Sequence, residues 1–129
     1  MSKVKLSNEQ IINDANKLRA ISEKQLPIKV SYALAKNIGK IESELKVYNE
    51  ERNKLLDQYA TKDKKGEFKF DKEGQVIFKD GCKEKWDKDI NELLEIENEI
   101  DIHKFNINEL EGYSISPGEL MVIDYMIQE

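Results

Sequence analysis

GEFKFDKEGQVIF, residues 66–78, decides the fold. Phe68 and Phe70 alternate with Glu67 and Lys69, the period of a half-buried strand. Val76 and Phe78 share one face of a return strand, and Ile77 takes the other. Between them, Asp71-Lys72-Glu73-Gly74 has the composition of a type I turn that closes on a left-handed glycine. The stretch therefore reads as a β-hairpin over 67–79, closed by Asp80-Gly81. A lone two-stranded hairpin is marginal in water, so its aromatic face needs a neighbour: helix ends, Trp86 or a partner.

Two long apolar seams flank the hairpin. Upstream, Leu34, Ile38, Ile41, Leu45, Tyr48, Arg52, Leu55 and Tyr59 recur at alternating steps of four and three. This spacing predicts a coiled-coil-like helix over 28–60. Pro27 opens it, because a proline at the first helical position lacks only an N–H that would be unpaired anyway. Gly39, beside the seam, is read as a close approach by another helix. Downstream, Trp86, Ile90, Leu93, Ile96, Ile100, His103, Ile107 and Leu110 follow a similar spacing and predict a helix over 83–110. A reversal at the hairpin then makes the two helices an antiparallel pair. In that register Arg52 meets Glu97, a polar break that fixes alignment. His103 is expected as a packed imidazole on an apolar stripe.

Two short helices complete the chain. After a short tail read as a brief extended segment, Ser7 and Gln10 form a capping-box pattern that starts a helix over 8–24. Ser116-Pro117-Gly118-Glu119 carries three start signals: a serine cap, proline at the first position and glutamate at the third. The helix it opens, 117–127, is apolar on most sides and so is expected to be buried or to bind a partner. The predicted fold is a single mainly α domain: a long antiparallel helical hairpin, a β-hairpin at its tip, and the N- and C-terminal helices packed at the other end.

Charge divides the chain. Residues 1–65 hold 14 Lys and Arg against 9 Asp and Glu, whereas residues 66–129 hold 7 Lys against 17 acids. The first reading is a basic helix lying on an acidic one; the second is an acidic face aimed at a basic partner. Charged residues make up 36% of the chain, which matches long solvated helices. The single Cys82 excludes an internal disulfide framework and suits a reducing compartment. No secretory leader or membrane-spanning run is read in the sequence.

Chemistry is sparse. One His and one Cys do not make a metal site, which needs three or four such ligands. Gly66, Gly74 and Gly81 are too scattered for a phosphate loop. No catalytic, cofactor-binding or metal residues are assigned, no cofactor is expected, and the protein is read as not an enzyme. The acidic balance disfavours nucleic acid as a partner and leaves a nucleic-acid mimic as one form of the acidic face. The candidate partner-binding residues are Phe70, Lys72 and Ile77 at the hairpin tip, and Glu92, Glu95 and Glu99 on the acidic helix.

LPIKVSYALAKNIGKIESEL (26–45), YNEERNKLLDQYATKDKKGE (48–67), NELLEIENEIDI (91–102) and ISPGELMVIDYMI (115–127) together resemble a family of short phage and prophage proteins of Gram-positive bacteria. The family has no assigned function. The resemblance implies a phage origin and action in the cytoplasm of an infected cell. A looser likeness is to prefoldin subunits, which also join two long helices through β-hairpin structure; the helices at both ends of this chain depart from that pattern. The expected function is a non-enzymatic phage accessory protein that binds a host protein, for instance to inhibit a bacterial defence system. The alternative is a self-associating structural or chaperone-like coiled coil used in virion assembly, with a homo-oligomer as its active form.

Overall fold

The computed structural model describes residues 2–128. It is mainly helical, with small two-stranded sheets. The order is β1 (Ser2–Ser7), α1 (Asn8–Ser22), α2 (Ile28–Tyr59), α3 (Cys82–Glu95), β2 (Glu97–Ile102), β3 (Phe105–Asn106), a 3-10 turn (Ile107–Leu110), α4 (Pro117–Ile123), a second 3-10 turn (Asp124–Met126) and β4 (Ile127–Gln128). Among the described residues, no helix is long and apolar enough to cross a membrane. The chain forms two compact units: residues 1–45 with 97–129, and residues 46–96.

The first unit departs most from expectation. The helix predicted over 83–110 stops at Glu95, and the chain continues as β2. There Ile100 and Ile102 are buried and Glu97 and Glu99 exposed, an alternation of period two. β2 pairs antiparallel with β1, placing Val4 opposite Ile100 and Lys5 opposite Glu99. Such opposed charges stabilise a ladder, and Lys3 Nζ also lies 3.3 Å from Glu99. β3 and β4 form a short parallel pair. Ile21, Val30, Leu34, Ile123 and Met126 are fully buried in the core that these elements enclose, and α4 lies against α1. Gly39 meets nothing where a Cβ would stand, so the expected close approach at that point is absent.

Caps explain where the short helices begin. Ser7 Oγ accepts from the Gln10 N–H at 3.1 Å. Ser116 and Glu119 close a full capping box, and Lys24 Nζ sits 3.0 Å from Glu119 Oε1. The Ser116 N–H, then Lys24, hold the Glu119 carboxyl below its ordinary value of 4.5. The unfolded chain therefore takes up this proton first on acidification. The stabilisation is full above about pH 4.5 and is lost as pH falls through the lower folded value. Glu119→Gln is accordingly expected to melt below wild type at neutral pH, with the gap narrowing in urea titrations as the pH falls below about 4.5.

The second unit holds residues 46–59 of α2, α3 and the connection between them. The expected hairpin over 67–79 keeps its Asp71–Gly74 turn and its Phe70 to Val76 bridge, but it is one side of a three-segment arrangement: a further extended segment before it adds the bridges Ala60 to Phe78 and Lys62 to Phe68. Their hydrogen bonds close a triangle. Lys69 N–H donates to Thr61 O, Ile77 N–H to Lys69 O, and Thr61 N–H to Ile77 O. Two like turns make the corners. Asp63 Oδ1 accepts from Lys65 and Glu67 N–H, and Asp71 Oδ1 accepts from Glu73 and Gln75 N–H. Gly66 and Gly74 then take φ of 83° and 80°, a region that favours glycine. Phe78 reaches the buried Trp86, with ring centroids 5.3 Å apart. Arg52 does not meet Glu97 as expected: its guanidinium lies 5.7 Å from the Trp86 ring centroid, and Glu97 stands opposite Ser7 in the β1–β2 ladder.

Candidate functional site

A concave surface lies in the first unit. It forms where the start of α2 faces the chain between β2 and β3. Ile28 and Tyr32 are four residues apart and so project from one side of α2. That side is roughly opposite the one on which Val30 and Leu34 are buried. Ile28 is 81% exposed and Tyr32 53%, although both are large and apolar. With His103, Lys104, Phe105 and Glu109 they bound a cleft of about 460 Å³.

Asn37 sets the shape of this cleft. It is fully buried, its Nδ2 donates to His103 O at 2.8 Å, and its Oδ1 accepts from His103 N–H at 2.8 Å. The side chain thus imitates a strand partner and fixes the segment as it leaves β2. Lys40 Nζ adds a bond to Asp101 O at 2.7 Å. Asn106 caps the following 3-10 turn by accepting from Asn108 N–H. His103 is therefore not on a helical stripe: it is exposed, with its ring edge-on to Tyr32 at 5.6 Å. Lys36 Nζ lies 5.5 Å from the Tyr32 ring centroid, and Lys29 is 3.9 Å from Glu109. The cleft has a buried aromatic, Phe105, exposed apolar walls and a rim in which lysines outnumber acids. Such a surface can bind a partner or a ligand.

The residues expected at a contact surface fall in three places. Phe70 is 58% exposed, Ile77 39%, and Lys72 lies in the second turn of the triangle. Phe68 and Phe78 are half-buried, with Lys62 and Lys83 over their rings at 5.2 and 5.4 Å. Glu92 and Glu95 are exposed on α3. Glu99 is on β2, in the other unit, beside Lys3. The three glutamates therefore do not form one helical face. A second groove in the second unit, about 360 Å³, runs between Leu55 and Leu93. Asp89 lines it and accepts from the Tyr59 hydroxyl at 2.6 Å, a bond that raises the Tyr59 pKa.

Ile28 and Tyr32 did carry a sequence signal. They are an apolar i, i+4 pair off the seam of the helix. Among the described residues, no group of three or more His, Cys, Asp or Glu side chains could hold a metal ion. Comparison with protein-family models, curated proteins and solved structures finds no match to the chain.

Proposed function

We propose that the chain is a non-enzymatic phage accessory protein that acts by binding another protein in the cytoplasm of the infected cell, a host protein before a phage one. Inhibition of a bacterial defence system is the form this reading favours. The phage context rests on the resemblance of the four stretches named above. Within this reading, residues 46–96 are a helical hairpin with the triangle at its tip, serving as a scaffold.

One observation carries the binding reading: the cleft exposes Ile28 and Tyr32 beside a segment that Asn37 holds in place. Fully burying an isoleucine side chain stabilises by roughly 1.5–3 kcal/mol, and here that gain is left for an association. Tyrosine is among the residues that dominate contact energies when a partner covers them. The exposure of Met121, at 79%, favours a second reading in which another copy of the chain is the partner and the protein builds virion parts. Sedimentation equilibrium separates the two, since the second requires a large oligomer.

Affinity capture from host lysate with the wild type and with Ile28→Ala/Tyr32→Ala tests the proposal. Both side chains are exposed, so melting should not change. The captured protein, once purified, should bind the double variant about 10–100-fold more weakly. Equal affinity for the two would exclude the cleft as the contact surface.

A further inference from the structure

The charges at the end of α3 run against its dipole. Its first turn mixes Lys83 and Lys85 with Glu84, while Glu92 and Glu95 lie in its last turn, which has no basic residue. A helix C-terminus is the negative pole, so a glutamate there is unfavourable unless a cation stands nearby. Beside that end lies the groove of the second unit. Leu55, Leu93 and Ile96 form its apolar floor, and Glu51, Asp89 and Glu92 its rim, where Lys54 Nζ lies 3.0 Å from Glu51 in an exposed pair that an incoming cation can exchange. Ile96 is 51% exposed. Val47 is 55% exposed and continues the stripe along α2 through Glu51 and Leu55, at steps of four.

We propose that this groove receives a basic amphipathic helix of a partner protein. The floor takes one apolar stripe, as in helix-in-groove recognition. The rim selects the sign of the flanking charges: lysines or arginines on the incoming helix meet Glu51 and Glu92, whereas acidic flanks are repelled. The same cations relieve Glu92 at the negative pole of α3. The seven steps from Asp89 to Ile96 rise roughly 10 Å, so the groove seats about two turns of helix. A third helix there completes a three-helix arrangement with α3 and residues 46–59 of α2. The inference does not depend on the cleft in the first unit.

The test uses the full chain and the model helix LKKLLKLLKKLLKL, with LEELLELLEELLEL as its acidic counterpart, followed by amide NMR shifts. The lysine peptide should shift amides at 47–55 and 89–96, and its affinity should fall about ten-fold when salt is raised from low to several hundred millimolar. The glutamate peptide should not bind. Glu51→Lys/Glu92→Lys should weaken the lysine peptide at least about ten-fold, and Glu51→Gln/Glu92→Gln by about three-fold. Glu23→Lys/Glu111→Lys, a control with the same charge change at exposed sites in the other unit, should stay within about two-fold of wild type. All four sites are exposed, and a melting curve for each variant verifies its fold. The proposal is overturned if the control weakens binding as much as the groove variant does. Equal binding of the glutamate peptide, or shifts confined to 28–32 and 103–109, would overturn it too.

Discussion

Asn37→Ala is expected to destabilise the first unit by about 2–4 kcal/mol, read as a lower urea midpoint. Asn37 is fully buried, and both ends of its amide hold the backbone of His103. Truncation leaves one N–H and one C=O without their partner, at roughly 1–3 kcal/mol each, reduced where water reaches them. Asn37→Asp is the sharper variant. It keeps an acceptor for His103 N–H but turns an oxygen toward His103 O, so it should be no more stable than the alanine variant. The Tyr32–His103 contact should loosen with it, visible as a change in the ring resonances. If both variants melt within about 0.5 kcal/mol of wild type, strand pairing alone holds the segment, and the cleft is not pre-formed by Asn37.

Trp86→Ala is expected to remove about 3–5 kcal/mol from the second unit. Trp86 is buried with Leu56, Tyr59 and Ala60, and it supports Phe78 on one side and Arg52 on another. Its loss removes the platform of the triangle. The amides of Thr61, Lys69 and Ile77 should then exchange much faster, because their bonds lie in a structure with little other support. Arg52→Ala should cost only about 0.5–1 kcal/mol, the worth of an exposed cation–π contact. An Arg52 effect as large as that of Trp86 would mean that the arginine has a buried partner after all.

Helix starts were legible because their signals are local. Ser7 with Gln10, Pro27, and Ser116 with Glu119 each act within one turn of their own position. β2 was not legible because its sequence satisfies two periods at once. Ile96 and Ile100 are four apart, as on a helix, while Ile100 and Ile102 are two apart, as on a strand. The choice is made by β1, more than ninety residues away, whose Val4 and Leu6 alternate with Lys3 and Lys5. Distant pairing of this kind leaves little trace within a local window. The charge division finds part of its explanation here: Lys3 meets Glu99, Lys24 meets Glu119 and Lys29 meets Glu109 within the first unit.

The triangle had a trace that a hairpin reading passes over. Asp63-Lys64-Lys65-Gly66 and Asp71-Lys72-Glu73-Gly74 are the same turn eight residues apart, and Thr61, Lys69 and Ile77, the three bonded positions, share that spacing. Reading only the second turn yields two strands; reading both yields three. Of the candidate site, the exposure of Ile77 could be reasoned from its place on the face away from Val76 and Phe78, whereas Phe70 alternates onto the face that was expected to pack and is exposed instead. The cleft could not, since it needs the β2–β3 connection that the helical reading of 83–110 removed.

The most direct test of the binding account is hydrogen exchange on the purified complex with the captured partner. Exchange should slow at residues 28–36 and 103–109 relative to the free protein. Unchanged exchange there, with protection confined to residues 60–81, would contradict the account and move the contact to Phe70, Lys72 and Ile77.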